Sequence, residues 1–145
     1  MKYDTATPFT AVYVIFRREG KIAFLLRENT DWMNGYYTVA AGKVEKNEPI
    51  LQAAVREIKE EVGVTVKPEN LKFLLVGDRH DEVDWIDFWF EATDWEGELH
   101  NAEPHVHKEL VWFDPHNLPE NIVPSVRFYL EQIDAGKQFA AYGWA

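Results

Sequence analysis

A chain of 145 residues that is 46% apolar and 14% aromatic can bury one substantial core, which excludes a disordered chain and predicts a single domain over residues 1–145. A formal charge of −10 excludes a sequence-independent grip on DNA or RNA, because that grip needs Lys and Arg over the phosphates. No apolar span of about 20 residues can cross a membrane, the start MKYDTATPF has no signal-like stretch, and there is no cysteine for disulfides or thiolate metal sites, so a soluble, cytoplasmic protein is expected.

In chain order, residues Pro8 to Phe16 and Lys21 to Arg27 are rich in β-branched and aromatic residues, and the RREG turn between them predicts a hairpin. A polar loop from Glu28 to Gly35 leads to a short strand, Tyr36 to Ala41, that runs into Gly42. Asn47, Glu48 and Pro49 signal a helix start, and Gly63 its end. Leu71 to Val76 and Val83 to Ala92 read as strands. The second alternates Ile86, Phe88, Phe90 and Ala92 with Trp85, Asp87, Trp89 and Glu91, which predicts one core face and one partly wet face. A short strand, Leu110 to Phe113, and a helix from about Pro124 to Ala135 follow; the tail GKQFAAYGWA signals no element.

On the first helix, at about 100° per residue, Leu51, Ala54, Val55, Ile58 and Val62 form an apolar stripe. Glu57, Glu60 and Glu61 share a second arc, which predicts carboxylates on the flank between core and solvent. Like charges at this spacing repel, and acids near a helix C-terminus oppose its dipole. A divalent cation would compensate, since Mg²⁺ is hard and prefers carboxylate oxygens. The alternative reading of the geometry alone is a solvated acidic face.

The whole segment GKVEKNEPILQAAVREIKEEVGV resembles the Nudix box G-x5-E-x7-R-E-U-x-E-E-x-G-U at every fixed position: Gly42, Glu48, Arg56, Glu57, Ile58, Glu60, Glu61, Gly63 and Val64. Chance would supply such a match on the order of once in 10⁹ windows. The resemblance to MutT-like Nudix hydrolases extends, by the order of elements, over residues 8 to 135. It implies an α/β fold, an α/β/α sandwich with a central mixed β-sheet. It further implies Mg²⁺, with Mn²⁺ as a substitute, held by Glu57, Glu60, Glu61 and the backbone carbonyl of Ala41. In that family pattern Arg56 orients a catalytic glutamate among Glu57 and Glu60, Glu48 ties loop to helix, and Gly42 and Gly63 are structural. The cation also answers how so acidic a protein could accept a polyphosphate.

Outside the box, NAEPHVHKELVW resembles a pattern near N-x-E-P-x-K-x-x-E-L-x-W of some nucleotide-triphosphate members. Glu109 is the first choice for a further catalytic carboxylate and Glu103 the second; Val106 stands where that pattern has lysine. His105 and His107 lack a zinc-like spacing and read as exposed loop histidines. Thr38 and Val39, just before the box, are candidates for the substrate pocket by resemblance. Phe9, Trp32 and Trp85 are candidates for stacking on a base, with core packing as the alternative reading of each.

The expected activity is hydrolysis of a diphosphate linkage in a nucleoside triphosphate, oxidised dGTP included, giving the monophosphate and pyrophosphate. ADP-ribose, dinucleoside polyphosphates and nucleotide sugars use the same box, and a non-catalytic nucleotide-sensing module is the alternative of another class. The expected partners are a small nucleotide-like substrate and, as an open option, a second copy of the chain in a homodimer; neither nucleic acid nor membrane is expected.

Overall fold

The computed structural model describes residues 5–145. Eight strands form one mixed sheet: β1 Phe9–Arg18, β2 Lys21–Arg27, β3 Tyr37–Thr38, β4 Ala40–Lys43, β5 Leu71–His80, β6 Asp84–Ala92, β7 His107–Phe113 and β8 Phe139–Tyr142. Two helices, α1 Ile50–Val62 and α2 Pro124–Asp134, complete an α/β/α sandwich. The sheet runs β3-β2-β1-β6-β5-β8, with β4 also on β1 and β7 on β2.

The first hairpin exists, but β1 and β2 pair only beside their turn, at Arg17 with Ile22 and Arg18 with Lys21. Beyond that point β1 leaves β2, lying antiparallel to β4 and parallel to β6 over eight rows from Phe9–Trp85 to Phe16–Ala92. This central position buries both faces of β1, as expected of a near-continuous apolar run. Val12, Val14 and Phe16 join a core with Ala54, Ile58, Val62 and Phe90 beneath α1. Ile15 faces the other way, into a core with Phe24, Leu75, Trp89, Val126 and Tyr129 beneath α2.

The face of β6 expected to be partly wet is partly exposed at Trp85 and Glu91 and dry between them. Asp87 and Trp89 are both fully buried, because α2 covers the side of the sheet that α1 leaves open. Gly77 on β5 permits that covering: a Cβ there would run into the Tyr129 ring. Asp87 is tolerated because Arg79, itself buried, grips it from the neighbouring strand with Nε to Oδ2 at 2.7 Å and Nη2 to Oδ1 at 3.1 Å. Such a paired fork is the usual condition for burying a carboxylate.

The tail, silent in sequence, contains β8, which lies parallel to β5 from Val76–Phe139 to Arg79–Tyr142. A four-residue strand with two alanines has little propensity of its own, and the open edge of β5 supplies the template. Among the described residues no helix is long and apolar enough to cross a membrane.

Candidate active site

The first helix starts after Pro49, whose carbonyl accepts the Ala53 N–H at 3.0 Å. It stops at Gly63, left-handed with φ 73°, whose N–H reaches the Lys59 carbonyl at 3.2 Å. A Cβ at Gly63 would also strike the ring of His100. The buried residues of α1 are Ala53, Ala54, Ile58 and Val62, whereas Leu51 is 39% exposed. The apolar stripe is thus rotated towards Ala53. With Ala54 set at zero on the helical wheel, Ala53 lies at about −100°, Glu57 at about −60° and Glu61 at about −20°. Glu57 and Glu61 consequently lie part-buried on the flank, at the junction of helix and sheet. Glu60, at about −120°, stays exposed.

This placement desolvates two acids. The Glu61 carboxyl is held well above the usual carboxylate pKa, first by burial and then by Glu57 and Glu103, against a stabilising hydrogen bond from the Ala41 N–H to Oε1 at 2.7 Å. Glu57 is raised as well, by burial foremost and by Glu60 and Glu103, while Arg56 opposes the shift. Gly42 makes room for it, since a Cβ there would occupy the space of the Glu57 carboxylate.

Arg56 is the hub of the loop in front of the helix. Its guanidinium binds Glu48 through Nε at 2.8 Å and Nη2 at 3.0 Å, Glu57 Oε1 through Nη1 at 2.8 Å, and the Lys43 carbonyl at 3.1 Å. The fork to Glu48, with a further hydrogen bond from the Glu45 N–H, pulls that acid's pKa down to about 2. The structure thus brings together Glu48, Arg56, Glu57 and Glu60, the last 3.4 Å from Arg56 Nη1.

A segment that the sequence pattern left open completes the cluster. Asn101 clamps the chain before β7: its side-chain oxygen accepts the Glu103 N–H at 3.1 Å and its amide nitrogen donates to the His107 carbonyl at 2.6 Å. Glu103 and His107 thereby meet Glu61, with one ligand atom from each within 4.8 Å of the others. His107 is not an exposed loop histidine; it is 4% exposed. The reason is a bulge. Leu25 pairs with Leu110 but Arg27 with His107, so β7 carries one residue more than β2 between these rows, and His107 faces the same side as Leu110. Burial, with Arg27 and His105 nearby, lowers the His107 pKa to about 4, leaving the ring neutral.

Glu109, the favoured extra carboxylate of the sequence reading, lies on the other side of β7. Its Oε1 accepts the Tyr37 hydroxyl at 2.8 Å, and Tyr37 packs edge-on against Phe113. Alternation places Glu109 with Phe113, away from α1. Glu103 therefore faces the box acids, and Glu109 does not.

Beside the acids a cleft of about 370 Å³ opens, lined among others by Tyr13, Arg27, Trp32, Ala41, Gly42, Lys43, Arg79 and Trp85. Trp85 is its best-braced wall: the Arg79 guanidinium lies 4.9 Å and Lys43 Nζ 5.7 Å from the ring centre, and Phe9 packs behind at 5.2 Å. Across the cleft, Arg27 folds the Glu28–Gly35 loop by donating to the Trp32 carbonyl at 2.8 Å and lies over the Trp32 ring at 5.1 Å. Trp32 and Trp85 thus line the cleft and Phe9 supports it. Thr38 and Val39 do not; both are buried, and Val39 belongs to the core beneath α2. Arg27, Lys43 and Arg79 were not singled out in sequence, because cations scattered over three strands give no local pattern.

The carboxylate group fits a hard divalent cation. Glu57, Glu60, Glu61 and Glu103 repel one another, burial adds to the strain on Glu57 and Glu61, and Arg56 on one side and Arg27 near Glu61 offset only part of the charge. Ala41 and Gly42 join this group to the cleft, since they touch Glu61 and Glu57 and also line the cavity.

Comparison with known proteins bears on the family and the fold. A NAD-capped RNA hydrolase, NudC of Escherichia coli, is 43% identical over 63 residues, 43% of this chain but only 23% of that protein, so the chain matches less than a quarter of that relative's length. A MutT NUDIX hydrolase from Burkholderia pseudomallei is 29% identical with a TM-score of 0.79, covering 87% of this chain and 98% of that one. The ORF135 protein of E. coli is 27% identical with a TM-score of 0.76, covering 93% and 94%. The family model of the NUDIX domain matches residues 7–132, and the chain belongs to that family.

Proposed function

We propose that the protein is a Mg²⁺-dependent pyrophosphohydrolase that splits a diphosphate linkage in a nucleoside triphosphate, releasing the monophosphate and pyrophosphate, with oxidised dGTP among its candidate substrates. The observation that carries this reading is the continuity, through Ala41 and Gly42, of a tryptophan-walled cleft with a cluster of desolvated carboxylates. The cleft volume of about 370 Å³ lies at the lower end of small-ligand sites. Trp32 and Trp85 offer π surfaces for a base, and Arg27 and Lys43 offer positive charge in a cleft that also carries Asp31, Asp81 and Glu82.

When bound, Mg²⁺ supplies charge neutralisation of the diphosphate oxygens and acidification of water. Glu57, Glu60 and Glu61 are the residues to hold it, with Glu103 in place of Glu109 as the carboxylate from outside the helix. The chain's own part is positioning. Arg56 fixes Glu57 through Oε1 and leaves its second oxygen for the cation, while a carboxylate of the cluster that the cation leaves free accepts the proton as water adds to phosphorus and the bond to the leaving group breaks. Arg27 and Lys43 stand where they can face phosphate oxygens at the cleft wall.

A second reading is hydrolysis of a dinucleotide, favoured by the likeness to the NAD-capped RNA hydrolase over 63 residues. The products formed with and without Mg²⁺ should be separated and identified for nucleoside triphosphates, oxidised dGTP, NAD, ADP-ribose, dinucleoside polyphosphates and nucleotide sugars, since only the triphosphates release pyrophosphate and the others yield two phosphomonoesters. Magnesium-dependent turnover of triphosphates is expected; turnover confined to dinucleotides would transfer the assignment to the second reading. A folded protein that binds a nucleotide and turns over none of them is a sensor. On the best substrate Trp85→Ala should raise KM about 5- to 100-fold, the equivalent of one lost stacking contact of about 1–3 kcal/mol, with a smaller change in kcat. An unchanged KM would remove Trp85 from the binding site.

A further inference from the structure

His107 is buried to 4% exposure, and its Nδ1 has no hydrogen-bond partner. A buried polar atom without a partner loses its hydration without compensation and calls for an explanation. Its surroundings give one. A ring nitrogen lies within 4.8 Å of a carboxylate oxygen of Glu61 and of Glu103, at the deep end of the acidic cluster. Donors on one ion with bonds of about 2.0–2.2 Å stand at most about 4.4 Å apart, so small side-chain movements bring all three into one coordination sphere.

The three groups are also held for the purpose. Asn101 fixes the backbone at both Glu103 and His107, and the Ala41 N–H anchors one oxygen of Glu61. The β7 bulge adds the extra residue that turns His107 inward. We propose that Glu61, Glu103 and His107 form a mixed oxygen and nitrogen cation site in which the His107 imidazole is a ligand, selecting a first-row transition ion such as Mn²⁺ or Co²⁺ over Mg²⁺. The chemistry follows from the donor set. Mg²⁺ takes oxygen ligands and keeps its water, whereas imidazole suits the later divalent ions. This site shares Glu61 and Glu103 with the hydrolase reading and rests on it to that extent.

The test is direct binding of Mn²⁺, Co²⁺ and Mg²⁺ to the whole chain by calorimetry, with pulsed electron paramagnetic resonance of the Mn²⁺ form. The expected spectrum shows modulation from an imidazole ¹⁴N, which disappears in His107→Ala. That variant should bind Co²⁺ about 10- to 100-fold more weakly while its Mg²⁺ affinity changes less than about twofold. The wild-type spectrum is informative even if His107→Ala does not fold, and His107→Gln then serves as the replacement. Mn²⁺ bound without nitrogen coupling, or coupling that survives in the variant, overturns the proposal while leaving a metal-dependent hydrolase in place. Failure of all three ions to bind overturns both.

Discussion

Glu61→Gln is expected to lower kcat by about two to four orders of magnitude, the range seen when one group stabilising charge or moving a proton in the transition state is removed. Its fold should survive. The Glu61 carboxyl is desolvated, repelled by Glu57 and Glu103, and satisfied by a single backbone N–H from Ala41. An amide of the same shape keeps that hydrogen bond and removes the repulsion, so Tm without metal should stay level or rise. What should vanish is the increase in Tm on adding Mg²⁺ to the wild type, since a ligand stabilises only through its affinity for the folded state. Steady-state kinetics and thermal unfolding with and without Mg²⁺ read both effects. Near-normal turnover would remove Glu61 from the catalytic machinery.

The second large effect is on stability. Asp87→Ala should destabilise the fold by about 3–5 kcal/mol, because Arg79 would be left as a buried charge without its partner. Asp87 is fully buried and Arg79 only 5% exposed. At this chain length the loss corresponds to a fall in Tm on the order of 10–20 °C. The double variant Asp87→Leu with Arg79→Met should recover part of it, since a buried ion pair is often replaceable by apolar residues even where breaking it is costly. A double variant no more stable than Asp87→Ala would mean that the deficit comes from packing, not from the unpaired guanidinium. The double variant should still bind substrate poorly, because Arg79 also lies over Trp85 in the cleft wall.

These two residues also show where the sequence was informative and where it was not. The box acids were legible because helix periodicity and exact spacing both act within 23 residues. Even there the stripe is rotated by about one residue, with Ala54, Ile58 and Val62 buried as expected but Ala53 in the place of Leu51, because the angle at which the helix meets the sheet is set by tertiary packing. Arg79 and Asp87 lie diagonally across the β5–β6 hairpin, in rows Arg79–Trp85 and Gly77–Asp87. Their partnership depends on a register set by the turn, and on α2 arriving from the far end of the chain to cover them. The mixed sheet was expected from the order of elements. The β8 edge was not, because a short alanine-containing segment becomes a strand only when a neighbouring backbone is there to bond it. The exchange of Glu109 for Glu103 has a related origin: Glu109 follows the alternation of β7 onto the side of Phe113, whereas Glu103 lies before the strand and is turned to the box acids by the Asn101 clamp, with His107 brought inward beside it by the β7 bulge.

That bulge carries an evolutionary consequence. Continued without it, the regular pairing of β2 with β7, in which Leu25 meets Leu110, would set Lys108 opposite Arg27 in place of His107. A tethered ammonium would then reach towards Glu61 and Glu103 where a neutral ring now stands. The acids would acquire an internal counterion, and their appetite for a diffusible one would fall. Gain or loss of a single residue in this strand, with no substitution anywhere, is therefore enough to convert an ion-binding pocket into a self-neutralised salt bridge.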